Sequence, residues 1–141
     1  RTLLCLSIEE AVKLQNDFSK VELLLEARAD PCRRSETGTF PLQLAAKHSN
    51  VELARRLLQA NADANQQDVK LVAPIHLAAH QDNAKLVQLL LLHKANVNIA
   101  DKVGQTPVFF AGSEDVLAVL VEASADLLHL NKKGQSALHL A

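Results

Sequence analysis

Two histidines, His76 and His80, stand four residues apart in the run His76-Leu77-Ala78-Ala79-His80. On a helix that spacing puts both imidazoles on one face, as metal-dependent hydrolases hold zinc. Leu77 stands where such a site needs its general-base glutamate, and the pattern offers no third ligand. No metal and no cofactor is therefore expected. His139 follows Ser136 by three residues, but no acid is placed to complete a triad. The runs Gly104-Gln105-Thr106-Pro107 and Gly134-Gln135-Ser136-Ala137 read as turns entering helices, because they lack the spacing and the lysine of a phosphate loop. Cys5 and Cys32 fit neither a disulfide framework nor a zinc ribbon, so both are expected as reduced thiols. With no catalytic constellation, the chain is not expected to be an enzyme.

What positions these residues is a recurring heptapeptide. His76 lies in Ala73-Pro74-Ile75-His76-Leu77-Ala78-Ala79. Upstream stands Phe40-Pro41-Leu42-Gln43-Leu44-Ala45-Ala46, and downstream Thr106-Pro107-Val108-Phe109-Phe110-Ala111-Gly112. Ser136-Ala137-Leu138-His139-Leu140-Ala141 closes the chain. From Pro41 to Pro74 and from Pro74 to Pro107 the step is 33 residues, and from Pro107 to Ala137 it is 30. Such a period is the mark of a stacked array of small helical units. Composition agrees: of 141 residues 48% are apolar but only 3% aromatic, so Leu, Val and Ala must fill thin layers rather than one deep centre.

The array divides into approximate repeats at 1–34, 35–67, 68–100 and 101–130, with a partial fifth at 131–141, forming a single domain over 1–141. Each unit reads as a turn, a first helix opened by proline, a short link and a second helix. The proline suits the first helical turn, where its missing N–H costs nothing. Repeat one is irregular, with about five extra residues before its second helix by alignment of the frames. That helix is expected to start after an N-cap at Ser19 with Glu22 as capping-box partner, and to end at Pro31. Repeat four is short by three residues between Ala111 and Ala125, so its first helix is expected to be cut short near Gly112-Ser113, with the second over Asp115 to Val121.

Period, heptapeptides and the regular pairs Ala29-Asp30, Ala62-Asp63, Ala95-Asn96 and Ala125-Asp126 together resemble the ankyrin-repeat family over residues 2–141. Asn65 and Asn98 match its "V-N" slot, and Gly38, Gly104 and Gly134 its finger glycine. Departures are Phe40 and Ala73 for Thr, Leu71 for the glycine, and Gln43 and Phe109 for His. By their resemblance to ankyrin repeats, whose second helix closes on a left-handed glycine, these units put Asn61, Arg28, Lys94 and Ser124 at that closure. For the last three, holding a non-glycine residue there costs about 1 kcal/mol each. The resemblance implies an all-α solenoid of helix-turn-helix units with β-turn fingers, and partner proteins bound on the concave side. Carried over by position, the finger contacts are Glu36, Thr37 and Thr39; Val69, Lys70 and Val72; Lys102, Val103 and Gln105; Lys132, Lys133 and Gln135. The palm contacts are Lys47, His48, His80 and Gln81. His76 takes a structural role, and Ser136 with His139 resembles the family's turn bond. The resemblance also makes Asn65 (with Leu57) and Asn98 (with Leu90) candidate substrates of an asparaginyl hydroxylase, against a plain reading in which each Asn braces its turn.

That surface carries Lys47, Lys70, Lys102, Lys132 and Lys133 against one acid, Glu36, with Arg33 and Arg34 beside finger two (fingers numbered by repeat, the first of these being that of repeat two), although the whole chain has a formal charge of −1. The expected function is a scaffold or recruitment module holding a peptide or loop with acidic and apolar residues. The alternative is a structural middle segment of a longer array whose groove is covered by its own chain. The chain opens at Arg1 and stops inside a repeat, so a longer parent protein is expected. The near-neutral charge gives no nucleic-acid footprint. The Leu89–Leu92 run is cut off by His93-Lys94, so no membrane insertion is expected. A monomer in the cytosol or nucleus is the resulting expectation.

Overall fold

The computed structural model describes residues 6–8, 19–35 and 38–137. Among them the elements are α1 (Ser19–Glu26), α2 (Pro41–Lys47), α3 (Val51–Gln59), α4 (Pro74–His80), α5 (Ala84–Leu92), a 3-10 helix (Pro107–Phe110) and α6 (Glu114–Glu122), with a further helical turn at 6–8. No strand occurs among the described residues. The first helices form one layer, α2 on α4 and α4 on the 3-10 helix. The second helices form the other, α3 on α5 and α5 on α6. This is the all-α repeat stack that the period implies.

The core runs as a ribbon between the two layers. Leu42, Ala45 and Ala46 of α2, Ile75, Ala78 and Ala79 of α4, Leu53 and Leu57 of α3, and Leu86 and Leu90 of α5 are fully buried. The alanine pairs let neighbouring helices approach closely while leucines fill the gaps, so packing comes from repetition rather than from bulky rings. Leu89 is buried as well, and Leu91 is half-buried.

Helix ends follow a repeated recipe. Asn50, Asn83 and Ser113 cap the second helices, accepting the N–H of Leu53 (3.0 Å), Leu86 (3.1 Å) and Val116 (3.3 Å). At their C-termini Arg28, Asn61, Lys94 and Ser124 sit at positive φ, and Ala29, Ala62, Ala95 and Ala125 donate back to Leu24, Leu57, Leu90 and Leu120. These are Schellman closures. Ser49 and Asp82 close α2 and α4 in the same way. Strain is thus more widespread than expected: seven described non-glycine residues hold positive φ, the seventh being Leu71 at 58°.

Three expectations need correction. The first helix of repeat four is a four-residue 3-10 turn rather than a shortened α-helix, and it ends at Phe110 before Gly112 is reached. With three residues deleted there is no room for a last turn and its closure. The second helix of that repeat is longer than expected, Glu114–Glu122, because Ser113 is recruited as its cap. In repeat one Ser19 is the first helical residue rather than the cap, and the preceding position falls outside the described residues. The extra residues of repeat one, Cys5, Glu36, Thr37, Leu138, His139 and Leu140 also lie outside them.

Candidate functional site

Four fingers share one local design. Ser35, Asp68, Asp101 and Asn131 each open a turn in which the residue three positions on donates its N–H back to their carbonyl. Each also donates its own N–H to the carbonyl four positions on. The closing residue is left-handed in every case: Gly38 (81°), Leu71 (58°), Gly104 (82°) and Gly134 (74°). Gly104 is needed twice over, since a Cβ there would also stand 3.0 Å from the Lys132 nitrogen.

The turn acids face inward. Asp68 Oδ1 accepts from the N–H of Lys70 (2.8 Å) and Val72 (3.0 Å), while its Oδ2 accepts from Gln43 Nε2 at 2.7 Å. Asp101 Oδ1 accepts from Val103 and Gln105, both at 3.0 Å. Asn131 does the same for Lys133 and Gln135. Backbone bonds then tie finger to finger: Lys102 N–H donates to the Lys70 carbonyl and Lys132 N–H to the Val103 carbonyl, each at 2.9 Å. The carboxylates are turned to backbone amides, and the exposed charged side chains of these turns are Lys70, Lys102, Lys132 and Lys133. Among the described residues no carboxylate pairs with any of the four.

The expected contact residues separate into two kinds. Lys47, His48, Val69, Lys70, His80, Gln81, Lys102, Val103, Lys132 and Lys133 are exposed along the fingers and palm. Val72 and Gln105 are half-buried and serve the turns themselves. Gln81 Nε2 donates to the Lys47 carbonyl at 3.2 Å, joining the two palm positions, and the His80 ring meets Phe110 edge-on at 6.2 Å. Arg34 departs from expectation. Its guanidinium donates to the Gln67 carbonyl and lies 5.4 Å from the centre of the Phe40 ring, so it locks finger two to finger three rather than standing free. Leu71 was noted in the sequence only as a departure. Its place in a glycine slot was the signal that a left-handed leucine side chain would join this surface.

His76 carries structure. Its Nδ1 accepts from Ala73 N–H and its Nε2–H donates to the Gln105 carbonyl, both at 3.0 Å. Both ring nitrogens are committed, leaving no lone pair for a metal shared with His80. Burial, partly offset by the bond to Gln105, holds the imidazole below its ordinary value of 6.5. No group of three metal-ligating side chains occurs among the described residues. Asn65 and Asn98 brace the next repeat rather than their own turn. Asn65 accepts from Asn96 N–H (2.6 Å) and donates to the Lys94 carbonyl (3.0 Å); Asn98 accepts from Asp126 N–H (2.8 Å). In repeat one Cys32 fills this slot, its sulfur accepting from Asp63 N–H at 3.2 Å.

The convex side differs in kind. Arg56 pairs with Glu22 and Glu52, and Arg55 with Glu52 at 2.6 Å, beside an open hollow lined by Leu25, Glu26, Gln59 and Ala60. There Glu22, Glu52, Arg55 and Arg56 are paired with one another. No described helix is long and apolar enough to cross a membrane. In comparison with known proteins, a family model described as "Ankyrin repeats (3 copies)" matches residues 8–101 and again 75–141. No curated protein matches the chain.

Proposed function

Because the chain belongs to the ankyrin-repeat family, whose domains generally bind other proteins, we propose that it is a scaffold or recruitment module for one partner segment. That segment is a peptide or loop with acidic and apolar residues, held on the concave face by Lys47, Lys70, Lys102, Lys132 and Lys133 together with Val69 and Val103. One observation carries the reading: the finger carboxylates are turned to their own turn amides while the finger lysines are exposed and unpaired among the described residues, so a partner meets the lysines first. Complementary charge would speed encounter and set register, and the valines would supply buried area.

The reading gives the domain no catalytic role, no cofactor and no nucleic-acid partner, and places it as a monomer in the cytosol or nucleus. Asn65 and Asn98 act as inter-repeat braces. Their hydroxylation is a separate proposal, tested by looking for an added oxygen in intact mass after treatment with an asparaginyl hydroxylase.

The main test uses a phage-displayed library of random linear peptides selected on the wild-type domain. Enriched peptides should carry Asp or Glu beside apolar residues and should be lost on Lys70→Glu/Lys102→Glu/Lys132→Glu, with helix content unchanged by circular dichroism. Peptides that bind the triple variant as well as the wild type would defeat the reading.

A further inference from the structure

Finger three departs from its neighbours in a way that the fold does not require. Three of the four described fingers close on glycine, and the finger of repeat three closes on Leu71 at φ 58°. A left-handed leucine is strained, because its Cβ crowds its own backbone. Such strain persists only where surrounding contacts hold it, and here Gln67 does so. Its Nε2 donates to the Leu71 carbonyl (2.7 Å) and to the Ala100 carbonyl of the next repeat (3.0 Å). The strain is not offset by deep burial: Leu71 is 46% exposed, Val69 on the same turn 77%, and Val103 on the next finger 50%. Val69 extends toward finger two, close to where a side chain on Gly38 would lie.

We infer that Val69, Leu71 and Val103 form the apolar anchor of the binding surface, and that the partner segment crosses the tips of fingers three and four rather than lying along the palm. The inference rests on the partner-binding reading above and adds where, and through which side chain, the partner is held. The occupant is a partner protein's segment with an apolar residue flanked by acids, because Lys70 stands between Val69 and Leu71, Lys102 precedes Val103, and the neighbouring carboxylates of Asp68 and Asp101 are turned into their own turns. The bond from Lys102 N–H to the Lys70 carbonyl fixes the two tips relative to each other, so little ordering remains to be done on binding. A second copy of the chain is a poor occupant, since it would bring the same lysines to the contact.

Leu71→Gly separates this role from a structural one, because it relieves the backbone while deleting the anchor. Library-selected peptides are titrated by fluorescence polarisation against wild type, Leu71→Gly, Leu71→Ala, Val103→Asp and, as a control on the outer helix α5, Lys85→Glu. The expected result is at least about tenfold weaker binding for both Leu71 variants and Val103→Asp, with the control unchanged. Leu71→Gly should at the same time melt about 3 °C higher than the wild type. Leu71→Ala, which keeps the strain, should not. Peptides that lose affinity on the triple lysine variant but bind Leu71→Gly within about twofold of wild type would overturn the anchor and leave the partner-binding reading standing. No enriched peptide at all would overturn both. Binding to phosphatidylserine vesicles that Leu71→Gly abolishes, or a dimer that it dissolves, would overturn the assignment of the occupant.

Discussion

Repeats three and four occupy the same frame and solve it unequally. In repeat three α4 is a full α-helix, closed through Asp82, and His76 ties its start to the following finger. In repeat four the equivalent helix is a 3-10 turn, and Phe109 stands where His76 stood. An aromatic ring cannot replace two hydrogen bonds. Thr106 Oγ1, fully buried at the start of that turn, has no partner among the described residues. His129, at the far end of the same repeat, supplies part of the loss, donating to the Gly104 carbonyl at 2.9 Å while its ring meets Phe109 edge-on. The lesson is that one frame tolerates a three-residue deletion when a side chain elsewhere in the repeat can reach back to its finger. Repeat four should therefore be the weaker layer.

The largest expected effect tests that ranking directly. Leu86→Ala in α5 removes a fully buried side chain from the better-packed layer and should cost about 2–5 kcal/mol. Leu120→Ala in α6 makes the same deletion in the weaker layer and should cost about half as much. Equal shifts in urea midpoint would break the comparison. Next comes His76→Ala, which leaves the Ala73 N–H and the Gln105 carbonyl without their partner and should cost about 2–3 kcal/mol. The same histidine predicts a pH dependence. Its folded value lies below the ordinary 6.5, so the unfolded chain takes up the proton first. Its stabilisation is complete above pH 6.5 and is lost as pH falls from there toward the folded value. Melting curves between neutral and mildly acid pH should show this slope, and His76→Gln should flatten it.

The glycines sharpen the comparison at smaller scale. Gly104→Ala must strain the backbone and push on Lys132, whereas Gly134→Ala meets nothing within 4 Å. The second should cost about 1 kcal/mol and the first clearly more. Similar melting points would mean that the fifth finger yields easily. Smallest is Thr106→Val, which replaces a partnerless buried hydroxyl with a methyl of the same shape and should stabilise by about 1 kcal/mol. A loss of stability there would show that the hydroxyl does find a partner.

The legible part of this fold was whatever recurs. The prolines, alanine pairs and Ala-Asp pairs fix each unit by local chemistry, and apolar spacing fixes which face it buries. The left-handed closures at Arg28, Asn61, Lys94 and Ser124 were readable for the same reason. What stayed hidden depended on neighbours distant in the chain. Nothing in the run around Arg34 announces that its guanidinium spends itself on Phe40 and the Gln67 carbonyl. Nothing near Phe109 announces that His129 will reach back toward it. The lysines of the surface were legible one by one; that Asp68 and Asp101 form no ion pair with them was not, because the turn geometry alone directs those carboxylates to the turn amides.

The bonds that reach from one repeat to the next have a use for the experimentalist. The amides of Asp63, Asn96 and Asp126 lie in surface loops, yet each is held by the side chain of the preceding repeat, Cys32, Asn65 and Asn98 in turn. In deuterated solvent each amide should therefore exchange only when its own interface parts. The molecule carries three spectroscopic gauges, one per junction, and a protection factor at each would rank the junctions separately within a single sample. The sulfur of Cys32 is the weakest acceptor of the three, so the Asp63 amide should be the first to exchange.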